Sequence, residues 1–474
     1  AEQDHPQALQ ELGNLHFYGE GVEQNKIKGI SLYKRAVKLD YALAKSSLGW
    51  ILVFDNDIER DLDDGLRLLN EAMSQGEVTA SYLLGLIHHK GVRDNDAYLM
   101  RPDISEAIKL YKNAAEKENA DAAYNLFHLY FHGEEIEQDN VKALKYLKMG
   151  ADNYHGPSQY QLGNFYQNGI LVDKDLSQAE RYFMLSAFKG DNEARVAVGI
   201  AIEQQIDEGA YDAEGLEEYK QSQIDWIFKW LNYAADEKYP LALHQLGIRY
   251  ATGNKIEQDY KKAISFFKQA HDLGFEESTN SLGIMYLQGE GVDKDEAKAL
   301  EYFKAAALKG VRPSQTNSAI MLEELAKSHP EGSEENADLI RESLSMLQLA
   351  ADQGHIPSKY NFARLCIQNT IHKDIAKDPF SVFGKEDFLP YLEDAAAADY
   401  EQAKALLELF TKASEAEEIR EKIKTESTEF DNFFRKNKIR KITDLSKIIN
   451  KNDIITFFDS LIKNEDKEIL IYDL

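Results

Sequence analysis

A glycine, or a residue standing in its place, returns along this chain at Gly13, Gly49, Gly85, Phe127, Gly163, Gly199, Gly247, Gly283, Ala319, Ala363 and Glu408. The successive spacings are 36, 36, 42, 36, 36, 48, 36, 36, 44 and 45 residues, and nothing else in the sequence restricts the fold as much. Five residues before each stands Ala8, Ala44, Ala80, Ala122, Ser158, Ala194, Ala242, Ser278, Ser314, Ser358 or Ala403, never anything larger than Ala or Ser. A third series reads Ala36, Ala72, Ala114, Gly150, Ser186, Ala234, Ala270, Ala306, Ala350 and Ala395, and three residues before each of these is a large apolar residue, from Tyr33, Leu69 and Tyr111 to Phe303, Leu347 and Leu392. A repeat of this period describes a unit too small to bury its own apolar face, which must stack on copies of itself.

Residues 275–310 give the unit in its clearest form. Ser278, Leu282, Gly283, Met285 and Tyr286 fall at helical spacing and stop at Gly289-Glu290-Gly291. Polar and acidic residues from Asp293 to Asp295 suit a second helix start, and Ala299, Tyr302, Phe303, Ala306 and Ala307 form its apolar stripe up to Gly310. The unit is therefore a helical hairpin, and small residues on both helices imply close approach of backbones.

These residues resemble the Sel-one-like repeat (SLR) family, a tetratricopeptide-related α/α solenoid. The resemblance runs from residue 5 to about 410, is closest at 5–36 (LGNLHFYGEGV) and 275–310, and erodes after Ala319. It implies an all-α fold: a right-handed α/α superhelix of about ten to eleven SLR hairpins over residues 1–414, with 415–474 as a helical C-terminal capping segment. It also implies protein binding, since members of the family act as adaptors, secretion or host-interaction factors and inhibitors of toxins, and only rarely as enzymes. The longer spacings place insertions at Val92 to Asp103, Glu203 to Ile224, Lys327 to Asp338 and Asn369 to Asp387, all between the two helices of a hairpin and so along one edge. They read either as a shared functional face or as tolerated loop drift.

Composition narrows the partners. The formal charge is -27, with 55 basic and 82 acidic residues, and residues 415–474 carry only -2 of it. A field of that sign repels phosphate backbones and anionic lipid, so the expected partner is a basic protein, or one with a basic patch, and not nucleic acid. Apolar residues at 43% and only 9 prolines suit a soluble helix-rich chain, and no apolar run approaches the ~18 residues of a membrane span. The single cysteine, Cys366, excludes an internal disulfide but not an exporting pathway, so the expected compartment stays open between cytoplasm and export after removal of a signal segment. Oligomeric state is not legible.

No catalytic or cofactor motif stands out. Gly19-Glu20-Gly21 and Gly289-Glu290-Gly291 follow helices instead of strands and lack the further glycine and lysine of a phosphate loop, so they read as turns. His128 and His132 share a helix face, with His88-His89 one unit earlier, which is metal-like spacing without a metal motif. Cys366 falls where other units place Tyr286 or Tyr130 and reads as core. The more informative pattern lies three residues before the glycine position, where Tyr82, Tyr124, Tyr160 and Tyr360 recur with His244 between them and His128 one turn beyond Tyr124. On first helices lining a concave surface they form an aromatic ladder, suited either to holding a protein partner or to packing between repeats. The functional expectation is a non-enzymatic scaffold or adaptor, of the toxin-inhibitor or secreted host-interaction type. The alternative is an enzyme acting on a carbohydrate or peptide held in the superhelical groove.

Overall fold

The computed structural model describes residues 5–55, 57–330, 333–372 and 385–411, so the expected cap over 415–474 lies outside the described residues. The chain divides into two compact units, Ala1–Glu237 and Lys238–Leu474, a division that falls inside the 1–414 span. The first unit pairs α1 (Pro6–Tyr18) with α2 (Lys26–Lys38), α3 (Ala42–Phe54) with α4 (Leu62–Ser74), and α5 (Val78–Lys90) with α6 (Ile104–Ala115). It continues with α7 (Ala120–His132) and α8 (Asn140–Asp152), α9 (Gly156–Asn168) and α10 (Leu176–Ala187), and α11 (Asn192–Asp207) and α12 (Glu217–Asp236). The second unit holds α13 (Pro240–Thr252) and α14 (Tyr260–Asp272), α15 (Glu276–Gln288) and α16 (Glu296–Leu308), α17 (Arg312–Lys327) and α18 (Glu334–Asp352), α19 (Ile356–His372) and α20 (Lys385–Ala397). Residues 401–411 add the first helix of a further hairpin. Within each unit every helix packs on the next, and α5 also touches both α3 and α7, so these three first helices lie side by side.

Local chemistry sets where each helix stops and starts. Five first helices end on a glycine in the left-handed region, Gly19, Gly133, Gly169, Gly253 and Gly289, at φ between 68° and 77°. The second helix then begins on an aspartate whose carboxylate accepts the N–H three residues on, at Asp61, Asp103, Asp139, Asp175, Asp259 and Asp295. The cap's own N–H returns to the first helix, as where Asp139 N donates to Tyr130 O at 2.9 Å. This bond fixes the width of the turn. Part of the chain's acidity is thus helix capping, favoured by the positive end of the helix dipole.

The recurring glycine is a seat for an aromatic ring of the partner helix. A Cβ at Gly13 would lie 2.6 Å from the Tyr33 ring, at Gly85 2.6 Å from Tyr111, at Gly163 2.7 Å from Phe183, at Gly247 2.5 Å from Phe267, and at Gly283 2.6 Å from Phe303. All five rings are fully buried. Where the glycine is lost the ring is lost with it: Phe127 faces the Leu147 hairpin, Ala319 that of Leu347, and Ala363 that of Leu392, each pair within one core cluster. Gly49 pairs with Leu69 instead, and there a second glycine, Gly65, brings the backbones so close that a Cβ at Gly49 would stand 2.8 Å from its carbonyl oxygen. Between hairpins the small series meet each other: a Cβ on Gly150 would stand 2.4 Å from Ser158 Oγ of the next first helix. Cys366 is buried in the core of the second unit, as its register implies.

The insertions are mostly not loops. Residues 92–100 form an antiparallel β-hairpin, β1 (Val92–Asp94) with β2 (Ala97–Met100), the only strands among the described residues. The 203–224 and 327–338 insertions are largely absorbed as extra helical turns: α11 and α12 have 16 and 20 residues, and α17 and α18 have 16 and 19, against 13 in the regular helices. Register alone places these extra residues between two helices and is silent on whether a helix continues. Much of 369–387 lies outside the described residues.

The seat gives a paired prediction. Gly85→Ala drives a methyl into Tyr111 and should cost about 1–3 kcal/mol by overpacking. Gly199→Ala meets its nearest neighbour, Ile227, at 3.6 Å, ordinary contact, and should be neutral or stabilising by up to about 1 kcal/mol through helix propensity. Urea unfolding of the two variants checks this, and equal effects would remove the glycine seat as the restricting contact.

Candidate protein-binding site

The ladder residues stand on the first helices, three residues before the glycine seat, and each reaches toward the next hairpin. Tyr82 on α5 is half-buried, its ring 6.2 Å from that of Tyr111, and burial pushes its phenol above the ordinary range while the Asn125 side chain bonds it. On α7, Tyr124 meets His128 edge-on at 4.5 Å and His155 at 4.9 Å. Tyr160 on α9 donates its hydroxyl to Glu193 Oε1 at 2.8 Å, and burial first, then that carboxylate, holds the phenol protonated. Tyr82, Tyr124, Tyr160 and His128 keep part of their surface open. Two others do not. His244 and Tyr360 are only 8% and 7% exposed, so these expected contact residues are core side chains, packed on Phe267 and Phe275 and on Tyr400 respectively.

At three rungs a side-chain hydrogen bond reaches the small residue of the next hairpin. His244 Nδ1 lies 2.9 Å from Ser278 Oγ, Ser314 Oγ donates to Asn280 Oδ1 at 2.7 Å, and the Thr316 and Ser358 hydroxyls are 3.1 Å apart. A hydrogen-bonding side chain therefore stands where the small residue of the next hairpin is serine. After Tyr82, Tyr160 and Tyr360 that residue is Ala122, Ala194 or Ala403, which offers no polar group, and an aromatic ring fills the space. Tyr124 precedes Ser158, whose Oγ is already held by His155 Nδ1 at 2.8 Å. Reading the ladder and the small series side by side would have revealed this pairing from sequence, including Asn280 and Thr316, which the aromatic pattern passes over.

One constellation has the order of a hydrolase triad. Asp121 Oδ1 is 3.4 Å from His155 Nε2, and His155 Nδ1 is 2.8 Å from Ser158 Oγ. The chemistry does not follow, because Ser158 is fully buried and its backbone N–H also donates to His155 Nδ1. It is a helix cap, repeated at His355 and Ser358 with a 2.7 Å contact. The histidines near α7 do not build a metal centre either. His89 spans Tyr111 and Glu135, His128 and His132 stack on each other, and among the described residues no three His, Cys, Asp or Glu side chains converge to hold an ion. Among the described residues the carboxylates displaced from their ordinary ionisation are all pushed down, Asp40 and Glu71 by Lys45, Asp121 by His155, Asp139 by Lys142, Glu237 by Arg195, Asp259 by the Lys262 N–H and Asp399 by Lys404.

Hairpins in this register, with glycine seats and aspartate caps, define an α/α helical-repeat protein. The chain belongs to the Sel1 repeat family: the Sel1 repeat model matches residues 6–41, 78–119, 120–155, 156–191, 240–275, 277–311 and 331–355. The hairpins α3–α4 and α11–α12 lie outside those matches yet follow the same glycine register. Among solved structures, the chain is similar to a protective antigen of uropathogenic Escherichia coli with an SLR fold, at 21% identity and a TM-score of 0.58 over 94% of this chain and 89% of that one. It is also similar to a Sel1 repeat protein from Oxalobacter formigenes, at 22% identity and a TM-score of 0.50 over 72% and 89%. No curated protein matches the chain. Sel1 repeats are a protein-interaction scaffold, and among the described residues no helix is long and apolar enough to cross a membrane.

His244 supplies a pH prediction. Burial lowers its pKa from 6.5 to about 4, so the folded second unit holds it neutral while the unfolded chain protonates it. Its contribution is complete above pH 6.5 and is lost as pH falls toward 4, a difference of roughly 3 kcal/mol. His244→Gln should flatten the fall in stability between those two limits, measured by urea unfolding across the range. An unchanged slope would show that His244 does not set it.

Proposed function

We propose that this chain is a non-enzymatic scaffold that holds a basic protein partner against the first helices of its N-terminal unit, around Tyr82, Tyr124, His128 and Tyr160. The observation that carries this reading is the placement of these half-open rings on the successive first helices α5, α7 and α9, in a chain of net charge -27. Rigid rings with a polar tip are the side chains that anchor interfaces, and a negative field draws in a basic partner while disfavouring nucleic acid. Two roles use such a surface in the same way: inhibition of a bacterial toxin, and engagement of a host protein by a secreted factor. A glycosidase would need a carboxylic acid kept protonated, and among the described residues the displaced carboxylates are pushed the other way.

Charge should govern encounter and the rings should govern retention. With the partner captured from the native organism, association should slow as ionic strength rises to physiological, where the screening length is ~8 Å. Tyr82→Ala, Tyr124→Ala and Tyr160→Ala combined should instead speed dissociation, with a loss of ~2 kcal/mol or more at the strongest of the three. A triple variant that melts like the parent and keeps full affinity overturns the reading and moves the search to the insertions, beginning at Glu203 to Ile224.

A further inference from the structure

Several histidines are gathered in one place, and of them only His128 belongs to the proposed binding surface. The His128 and His132 rings on α7 lie parallel, 5.5 Å between centroids and 9° between planes. His128 is half-buried against Tyr124 and Phe127, whereas His132 is exposed. At the start of the next hairpin His155 touches the other side of Tyr124, and before α8 Glu135 binds His89 of α5. Two imidazoles, His128 and His155, therefore meet the one ladder ring at the junction of the fourth and fifth hairpins, and a third, His132, stacks on the first.

We infer that this junction is an acid-sensitive joint, in which protonation of the stacked His128–His132 pair loosens the Tyr124 rung and the packing of α7 on α9. The inference rests on the scaffold reading only for its consequence, release of a partner held at Tyr124 on acidification. The physical step stands on the geometry alone. Two neutral imidazoles stack without penalty; two imidazolium ions at that separation repel, and one of them has little water to screen it. Burial, and then the neighbouring His132, already lowers the His128 pKa, so its charged form is the disfavoured one in the folded state. Stability held by a lowered histidine is present at neutral pH and fades as pH falls.

The groups packed around α7 do not cancel this. From α5 come Tyr82 and His89, the latter already engaged by Glu135, and from α6 comes Tyr111, bonded to His89. From α8 come Tyr146 and Lys142, which stack on or sit over Tyr130 on another face of the helix. The opposing group is Asp121, 3.4 Å from His155 and held by that ring below the ordinary carboxylate range, a pairing that supports the joint. It gives the test a control of opposite sign.

Amide hydrogen exchange on the full chain, corrected for the intrinsic pH dependence of exchange, reads the joint without a partner. Between pH 7 and pH 5.5, exchange in α7 and α9 should accelerate by about tenfold or more over that in α1 to α4. His132→Gln, a change at an exposed position, should lessen the acceleration, and His128→Gln with His132→Gln should abolish it. Asp121→Asn should increase it. Equal acceleration throughout the unit, or acceleration that is undiminished in His132→Gln or persists in the double variant, overturns the inference. Either result leaves the scaffold reading standing, because that reading is tested by dissociation at constant pH.

Discussion

Each regular hairpin depends on an aromatic ring laid against bare backbone. With hydrogen in place of a side chain at Gly85 or Gly283, the second helix brings Tyr111 or Phe303 to a distance that a single methyl would deny. The ring is then enclosed completely, and removing such a ring from a packed interior costs about 3–5 kcal/mol. Everything else in the unit follows from that spacing. The turn must be short enough to return the second helix over the glycine, which the left-handed glycine and the aspartate cap provide.

Stacking uses a second, weaker rule. The next hairpin approaches through alanine or serine, and the residue facing that position is a ring at Tyr82, Tyr124, Tyr160 and Tyr360 and a hydrogen-bonding side chain at His244, Asn280 and Thr316. The ladder is therefore first a device for joining repeats. Its suitability for a partner comes from the part of each ring that the neighbour leaves open, which is why Tyr82, Tyr124 and Tyr160 remain candidates and the enclosed Tyr360 and His244 do not. Structural and binding roles are not rivals at such a position, since a ring fixed by its neighbour loses little freedom when a partner covers the rest.

Acidity has the same double character. Aspartates that cap second helices neutralise orphan backbone N–H groups, and carboxylates paired with Lys45, Lys142 or Arg195 stay ionised because the folded chain favours the charged form. These groups were selected by local geometry, yet their sum is a field that extends beyond the surface and acts on whatever approaches.

The sequence by itself determined the hairpin, its register and its number, because a glycine seat, a small contact residue and a buried ring leave a periodic signature that local insertions shift but do not erase. It also determined that Cys366 is core. It could not say which ladder residues stay open, since that depends on the neighbouring hairpin: the same register position is half-exposed at Tyr160 beside Ala194 and enclosed at His244 beside Ser278. Nor could it separate a loop from a longer helix at 203–224, or foresee the β-hairpin at 92–100, because extra residues between two fixed helices satisfy their backbone hydrogen bonds in whichever way the surrounding packing allows. Exposure, and the meeting of Tyr124 with His155, belong to the tertiary structure because they are relations between repeats, and a repeat read alone contains only one side of them.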